Sequence, residues 1–308
     1  MGLRIAVIGL GAWGATLARL FEDQGHCVQG WSRRQGGDPQ AVLIGADLAL
    51  VATSLAGVKA LAPALADHWP AGVPLISCSK GIDLQQQCTP SQLWAAHLPA
   101  QPLLVLSGPN LAAELAAGLP AASVLASHHQ ALAQDLQQAL SSERLRLYTN
   151  ADPLGTEVAG ALKNVMAIAA GVCDGLELGA NAKASLLCRG LVEMGAAIQG
   201  LGGDPASLYG LAGLGDLLAT ATSALSRNYR FGLGLAAGLS CEQALQQVGA
   251  TVEGAQTARA VHALAERRGW HLPICDQVVA LMDGTIKPEQ AVRRLMERHL
   301  KPEALAFN

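Results

Sequence analysis

Short apolar runs that end in glycine or small polar residues recur through the first half of the chain. We predict strands over residues 5–8, 27–31, 47–52, 75–78 and 103–106, and a helix over residues 13–23. Unbroken apolar runs are typical of parallel strands covered on both faces, and their spacing leaves room for a helix between successive strands. This alternation predicts an α/β fold with a doubly wound parallel sheet, whose ligands bind beyond the carboxyl ends of the strands.

The pattern changes after about residue 150. Long segments rich in Ala and Leu follow with helical spacing and no clear strand, broken by Pro153, residues 200–203 and Gly238. A chain of 308 residues is at the upper limit for a single hydrophobic core. The sequence therefore predicts two domains, a nucleotide-binding sheet domain over residues 1–150 and an all-helical catalytic domain over residues 151–308.

Composition and charge narrow the possible partners. The chain is 51% hydrophobic but only 4% aromatic, and its net charge of −3 provides no general attraction for nucleic acid or an anionic membrane. Its most apolar stretch, residues 158–172, contains Lys163 and Asn164, which favours a buried helix over a membrane span. We therefore expect a small-molecule ligand, no nucleic acid and no membrane insertion.

The cysteines and histidines predict neither disulfides nor a metal site. Seven cysteines are scattered without a C-x-x-C pair, and the adjacent His128 and His129 have no ligand partner at suitable spacing. The first residues lead directly into a predicted strand, which leaves no room for a signal peptide. These features predict a cytoplasmic protein without a bound metal.

The segment Gly9-Leu10-Gly11-Ala12-Trp13-Gly14 fits the G-x-G-x-x-G pattern between a predicted strand and a predicted helix. Glycines at Gly9, Gly11 and Gly14 allow a tight turn and a close approach to a pyrophosphate, which the helix amino terminus binds through free N–H groups. A strand-to-helix turn without a ligand is the alternative. The surrounding pattern favours dinucleotide binding.

Arg33 and Arg34 occupy the region where an NAD-specific site offers a carboxylate to the ribose hydroxyls. A guanidinium can pair with the 2′-phosphate of NADPH and stack on its adenine. NADP is therefore the expected cofactor, with NAD also possible. The alternative is that both arginines are ordinary solvated surface residues.

Lys163 lies in the apolar helical stretch, where its neighbours one turn away are Ala159, Gly160, Met166 and Ala167. Desolvation lowers the pKa of a lysine and makes its amine useful for proton transfer to a nascent alkoxide. A buried lysine can instead satisfy a helix end or extend to solvent. These readings stay open from the residues alone.

Two further segments offer polar groups at predicted helix starts. Asp216 follows a glycine-rich stretch as an expected amino-terminal cap, and Thr220 lies one turn later on the same face. Ser226, Arg227 and Asn228 combine a hydroxyl, a guanidinium and an amide with free backbone N–H groups, which together suit a phosphate. Structural capping alone would also explain each segment.

Taken in order, the motifs resemble the NAD(P)-dependent glycerol-3-phosphate dehydrogenase family, bacterial type, from about Ile5 to Arg298. The resemblance rests on the glycine motif and six further segments: Ser79-Lys80-Gly81-Ile82, Ser107-Gly108-Pro109, Ala161-Leu162-Lys163-Asn164, residues 210–216, Ser226-Arg227-Asn228 and Val252-Glu253-Gly254. It implies a Rossmann-type domain followed by a helical domain. It also implies reduction of dihydroxyacetone phosphate to sn-glycerol 3-phosphate for glycerophospholipid synthesis, and it is compatible with a homodimer.

The resemblance assigns roles to individual residues. Lys163 is the implied catalytic proton donor and acceptor, and Lys80 is implied to lie near both nicotinamide and substrate. The other implied substrate-binding residues are Gly108, Asn110, Asp216, Ser226, Arg227 and Asn228. The implied cofactor-binding residues are Gly9, Gly11, Trp13, Gly14, Arg33, Arg34, Lys80, Ala112, Arg227 and Glu253.

The chain departs from the family pattern at three places. Asn110 replaces the usual Ser or Thr after Gly-Pro, Ala12 replaces the usual Ser of the glycine loop, and residues 34–46 are shorter than in typical members. Other activities stay open, namely a β-hydroxyacid or 6-phosphogluconate dehydrogenase, or a nucleotide-binding sensor without turnover. The segments around Asp216 and Arg227 favour the glycerol-3-phosphate enzyme.

Overall fold

The computed structural model describes residues 2–300 and residue 303, and its internal contacts divide them into two compact units. The first unit comprises the described residues through Lys80 together with Cys88–Glu157. The second unit comprises Gly81–Gln87 and the described residues from Val158 onward.

The first unit contains one sheet of seven strands in the order β2-β1-β3-β4-β5-β6-β7. Five strands confirm the predicted ones, and two more, β6 and β7, were not predicted. The strands are β1 Arg4–Ile8, β2 Cys27–Trp31, β3 Leu48–Val51, β4 Leu75–Ser77, β5 Leu103–Ser107, β6 Ala121–Ala126 and β7 Leu145–Asn150.

Strand directions confirm the Rossmann-type arrangement and add one exception. Strands β1 to β5 pair in parallel, with Ile8 opposite both Trp31 and Val51. Strand β6 pairs antiparallel to β5 and parallel to β7, so the sheet is mixed at that side. The register places the carboxyl ends of β1, β2 and β3 side by side, where parallel sheets of this type bind ligands.

Helices cover both faces of this sheet. Alternate residues of β1 belong to two separate apolar cores, Ile5 and Val7 to one and Ala6 and Ile8 to the other. Successive strand residues point to opposite faces, so the sheet is buried on both sides, as the apolar runs predict. The helices of this unit are α1 Ala12–Asp23, α2 Leu55–Leu65, α3 Pro90–His97, α4 Ala112–Ala116 and α5 Gln130–Leu140.

The second unit is helical, and none of its described residues forms a strand. Helix α6 begins within the first unit and continues into the second. A π-helical segment, Leu211–Gly215, directly precedes α8. The helices are α6 Pro153–Gly175, α7 Gly179–Leu201, α8 Asp216–Ala221, α9 Arg227–Ala236, α10 Cys241–Val248, α11 Glu253–Arg268, α12 Pro273–Met282 and α13 Pro288–Met296.

Helix α6 is long and apolar enough to cross a membrane, but protein covers it. Of its most apolar window, 89% is buried inside the structure. Two glycines bring α6 and α9 together: a Cβ at Gly171 would lie 2.1 Å from the Tyr229 carbonyl oxygen, and one at Gly232 would lie 2.1 Å from that of Ile168. Helix α6 therefore forms the core of the helical unit, in line with the buried helix that its sequence predicts.

Candidate active site

The glycine motif forms a tight turn between β1 and α1. Gly9 has a φ of +106°, and a Cβ there would lie 2.6 Å from the Ala52 carbonyl oxygen. A Cβ at Gly14 would lie 1.9 Å from the Gly9 carbonyl oxygen. These two glycines are therefore required by backbone conformation and close packing.

Gly11 has a different role in the same turn. It is the amino-terminal cap of α1 with a φ of −71°, a conformation open to any residue, and it provides no side-chain cap. A Cβ at Gly11 would meet no protein atom within 4 Å. Neither conformation nor packing requires glycine here, whereas a pyrophosphate seated on the helix amino terminus does. The loop therefore fits a dinucleotide.

Two glycine variants should separate ligand binding from folding. We expect Gly11→Ala to weaken nucleotide binding about ten-fold or more while leaving the melting temperature nearly unchanged, because its methyl group enters only the ligand's space. Gly14→Ala should instead lower the melting temperature, because its methyl group overlaps the Gly9 carbonyl. Calorimetric titration with NADP⁺ and thermal unfolding of both variants measure this. A Gly11→Ala protein that binds normally would contradict the assigned role.

Arg33 and Arg34 lie in the turn that follows β2, and both are exposed. The carbonyl of Trp31, the last residue of β2, accepts a hydrogen bond from Gly9 N at 2.8 Å, which connects this turn to the glycine loop. Between β2 and β3, residues 34–46 contain only a 3₁₀ turn, Ala41–Leu43, so the segment is short in the structure as well.

Trp13 and Lys80 both affect the pKa of the buried Cys78 thiol in the first unit. Burial raises the pKa of Cys78 to about 12, and the Lys80 charge and a hydrogen bond with Trp13 oppose that rise. Cys78 is 7% exposed and lies just beyond β4. The structure therefore brings together two predicted site residues, one from α1 and one from the end of β4.

The loop after β5 packs against β6. Gly108 has a φ of +149°, and a Cβ there would lie 3.0 Å from Ser123 Cα. Asn110 Oδ1 accepts a hydrogen bond from Ser123 Oγ at 2.7 Å. The Asn110 amide is thereby oriented with its NH₂ group left to donate, and Ala112 begins α4 two residues later.

The helical unit contains a buried cluster around Lys163. Lys163 is 7% exposed, and its Nζ donates to Asp216 Oδ1 at 2.9 Å and to Thr220 Oγ1 at 2.7 Å. Thr220 Oγ1 in turn donates to Asp216 Oδ1 at 3.1 Å. The ammonium is therefore buried and does not extend to solvent. It is paired with a carboxylate, which favours the protonated amine against burial.

The predicted capping role of Asp216 is wrong. Asp216 is the first residue of α8 rather than its cap. The capping position is Gly215, which has no side chain to form a capping hydrogen bond. The preceding π-helical segment passes close to the chain before it, since a Cβ at Gly213 would lie 2.0 Å from the Leu208 carbonyl oxygen. Asp216 directly follows this segment and accepts a hydrogen bond from Lys163, and π-helical turns are frequent at functional sites.

A second buried cluster joins three helices next to predicted site residues. Asn228 Nδ2 donates to Asn164 Oδ1 at 2.8 Å, and Asn228 Oδ1 accepts from Gly254 N at 2.9 Å. Asn164 follows Lys163, and Gly254 follows the half-buried Glu253 at the start of α11. This amide bridge fixes three segments of α6, α9 and α11 relative to one another.

The amino terminus of α9 has the predicted helix start. Ser226 is its cap, and Ser226 Oγ accepts a hydrogen bond from Tyr229 N at 3.2 Å. Arg227, in the first turn, is exposed. The Ser226 hydroxyl accepts the capping bond and keeps its O–H to donate, and the Arg227 guanidinium is open to solvent, so both groups are available to an anion.

Two residues that bond to predicted site residues, Thr220 and Asn164, were not predicted as site residues from the sequence. The one-turn spacing from Asp216 to Thr220 was the available signal, but nothing local shows that both face Lys163. Asn164 stood in a recognised motif, yet its partner Asn228 lies 64 positions away. Among the described residues, no group of three His, Cys, Asp or Glu side chains could hold a metal ion.

A buried carboxylate at the start of α6 was also missed. Glu157 Oε1 accepts from Ser91 N at 3.0 Å and Glu157 Oε2 from Ser91 Oγ at 2.5 Å, so it binds the amino-terminal turn of α3. Burial is the largest cause that raises the pKa of Glu157 to about 7, while hydrogen bonds from Ser91 and Thr89 oppose the rise. The native state therefore retains this proton at a pH where the unfolded chain releases it.

This shift predicts a loss of stability as the pH rises from about 4.5 to about 7. A rise of this size corresponds to about 3 kcal/mol against the charged form. Glu157→Gln keeps both contacts, since its NH₂ can donate to Ser91 Oγ, and should unfold at higher urea than the wild type at pH 8 but not at pH 5. Glu22→Gln, at an exposed position of the same unit, is the control. Equal wild-type and Glu157→Gln midpoints at pH 8 would contradict the prediction.

A glycine loop on a Rossmann-type sheet, together with a buried lysine–carboxylate pair in a helical unit, defines a nicotinamide-dependent dehydrogenase. Comparison with known families shows which dehydrogenase family this is. The family described as NAD-dependent glycerol-3-phosphate dehydrogenase N-terminus matches residues 4–37 and 35–133. The family described as NAD-dependent glycerol-3-phosphate dehydrogenase C-terminus matches residues 152–293. The chain belongs to the NAD-dependent glycerol-3-phosphate dehydrogenase family.

Individual relatives extend over nearly the whole chain. Glycerol-3-phosphate dehydrogenase, NAD(P)⁺, of Synechococcus sp. strain RCC307 is 55% identical over 98% of this chain and 100% of its own length. The protein of the same name from Synechocystis sp. is 47% identical over 99% of this chain and 96% of its own. A crystal structure of glycerol-3-phosphate dehydrogenase from Coxiella burnetii superposes with a TM-score of 0.91 and 34% identity, covering 96% of this chain and 99% of that one.

Proposed function

We propose that this enzyme reduces the ketone of dihydroxyacetone phosphate to sn-glycerol 3-phosphate with NADPH or NADH. The observation that carries the proposal is the buried Lys163 amine, held by Asp216 and Thr220 in the helical unit. Relatives named glycerol-3-phosphate dehydrogenase, NAD(P)⁺, at 45–55% identity support this substrate and both cofactors.

The cluster of Lys163, Asp216 and Thr220 is suited to proton transfer. The reduced nicotinamide supplies the hydride when bound. Lys163 Nζ donates a proton to the oxygen of the reduced carbonyl, and Asp216 keeps the amine protonated beforehand. Thr220 Oγ1 accepts from the amine and donates to the carboxylate, so the three side chains of Lys163, Asp216 and Thr220 hold one another in place. Lys80 polarises the substrate carbonyl.

The remaining assignments divide between substrate and cofactor. In the first unit, the Asn110 amide is assigned to the substrate and Gly108 allows close approach of the backbone. In the second unit, the start of α9 is assigned to the substrate phosphate. Substrate binding is assigned to Lys80, Gly108, Asn110, Lys163, Asp216, Ser226, Arg227 and Asn228. Cofactor binding is assigned to Gly9, Gly11, Trp13, Gly14, Arg33, Arg34, Lys80, Ala112, Arg227 and Glu253.

Arg227→Ala should raise the KM for dihydroxyacetone phosphate about ten-fold or more. The exposed guanidinium at the start of α9 provides a charge-assisted contact with the substrate phosphate, and a contact of that kind contributes about 1.5–3 kcal/mol. Steady-state kinetics measure the change, and Arg230→Ala, an exposed arginine one turn along the same helix, is the matched control. Equal KM values in the wild type and Arg227→Ala would place the phosphate elsewhere.

A preference for NADPH is part of the proposal. Within the described residues, no ion pair joins a carboxylate to Arg33 or Arg34. The next two acidic residues along the chain have other partners, Gln40 N for Asp38 and Arg4 for Asp47. Two uncompensated guanidinium groups attract the dianionic 2′-phosphate of NADPH. Equal kcat/KM with NADH and NADPH would contradict this preference.

One assay tests the activity directly. NADPH absorbance should fall when dihydroxyacetone phosphate is added to the purified enzyme and remain constant when a 3-oxo acid is added. With NADP⁺ and 6-phosphogluconate, no NADPH should form. Turnover of those substrates instead would indicate one of the related dehydrogenases, and nucleotide binding without any turnover would indicate a sensor.

The wider setting completes the proposal. The product would feed glycerophospholipid synthesis, and the enzyme would act in the cytoplasm, as a homodimer in solution, without nucleic acid or membrane insertion. Residues 1–150 would serve nucleotide binding and residues 151–308 catalysis. Size-exclusion chromatography with light scattering tests the assembly.

A further inference from the structure

Trp31 connects two parts of the nucleotide-binding region in the first unit. Its carbonyl oxygen accepts from Gly9 N at 2.8 Å, and its indole Nε1 donates to the Gly37 carbonyl oxygen at 3.0 Å. The half-buried ring also packs against the apolar core that contains Val51 and Leu43. One residue therefore holds both the glycine loop and the far end of the segment that carries the two arginines.

That segment, residues 32–37, is closed by its own hydrogen bonds and is called the arginine loop below. Gln35 N and Gly36 N donate to the Ser32 carbonyl oxygen at 3.0 and 3.2 Å, and Ser32 Oγ donates to Gln35 Oε1 at 2.8 Å. Gly36 and Gly37 have φ values of +74° and +81°, which let the chain return toward the indole.

The closed turn leaves Arg33 and Arg34 as its exposed, charged side chains. Between the end of β2 and the 3₁₀ turn Ala41–Leu43, the described residues form no helix or strand, and the indole hydrogen bond connects the loop end to the Trp31 ring on the core. Loss of that bond would let the loop occupy more conformations, and ordering it again on ligand binding has an entropic cost. This cost would apply to a ligand that uses the arginines.

We propose that Trp31 is a positioning residue for cofactor discrimination, in which its indole N–H holds the arginine loop so that both guanidinium groups face a ribose 2′-phosphate. The inference rests on the proposed preference for NADPH. NADH offers a neutral hydroxyl to the same loop and depends far less on where the guanidinium groups lie.

Trp31→Phe tests the inference, because it keeps an aromatic ring against the core and removes the N–H donor. Net loss of one hydrogen bond predicts a Kd for NADP⁺ about three- to ten-fold higher, with a much smaller change for NAD⁺. Calorimetric titration with each nucleotide gives the ratio of the two Kd values, and thermal unfolding shows whether the variant is folded. A merely structural role would weaken both nucleotides equally, and that result, or no change in either, would overturn the inference.

The double variant Arg33→Ala with Arg34→Ala separates this inference from the preference on which it rests. If the wild type binds both nucleotides equally, the proposed preference fails, and the role of Trp31 fails with it. If the arginine variant loses the preference but Trp31→Phe keeps it, the arginines select NADPH without help from the indole. Should Trp31→Phe be unfolded, Trp31→His, whose ring N–H can also donate, would have to retain the preference.

Discussion

Replacing Lys163 with alanine is expected to lower kcat about 10²–10⁴-fold, the usual contribution of a positioned general acid. The reason lies in its surroundings: the amine is buried and bonded to Asp216 and Thr220, so water has poor access to supply the proton instead. Nucleotide binding should persist, because the glycine loop and Arg33 belong to the first unit. Steady-state kinetics and titration with NADP⁺ measure the two effects.

Lys183→Ala is the matched control for this experiment. Lys183 also pairs with an aspartate in the helical unit, with its Nζ 2.5 Å from Asp174 Oδ2, but no catalytic role is assigned to it. Its kcat should stay near that of the wild type. Turnover by Lys163→Ala close to that of the Lys183→Ala protein would remove Lys163 from the mechanism, whereas partial recovery of Lys163→Ala by added methylamine would support proton donation.

Asp216→Leu is expected to lower the free energy of unfolding by about 3–5 kcal/mol, because it leaves the Lys163 ammonium buried without its counter-charge. Both side chains of the pair are less than a tenth exposed, so solvent screens their attraction little. Urea unfolding measures the loss. Activity should fall as well, since a lysine without its carboxylate is held less firmly in its protonated form.

Two further variants show that charge pairing, and not side-chain size, causes this loss. The double variant Lys163→Met with Asp216→Leu should recover most of the stability, because no buried charge remains, yet it should stay inactive. Asp283→Leu breaks the exposed pair with Arg259, whose side chains are about two-fifths exposed, and should lower the free energy of unfolding by no more than about 1 kcal/mol. A double variant as unstable as Asp216→Leu alone would contradict the explanation.

Strands with unbroken apolar runs could be predicted, whereas two others could not. Residues 5–8 and 103–106 signal burial on both faces by their own composition. Strand β6 is half alanine, a helix former, and β7 alternates buried and exposed residues at the side of the sheet. Pairing of β6 with β5 and of β7 with β6 determines these two strands, and such pairing joins residues distant in the chain.

The sequence by itself determined the glycine loop, the arginine pair and the identity of the lysine, because each depends on a few adjacent residues. The tertiary structure alone decided the environment of that lysine. Lys163 and Asp216 are 53 positions apart in the sequence, and the hydrogen-bonded Asn228 and Gly254 are 26 positions apart. Asp216, expected to cap a helix, is instead the first residue of α8 and forms an ion pair with Lys163. Contacts of this length arise only when packed helices bring separate segments together, and no local pattern of residues specifies them.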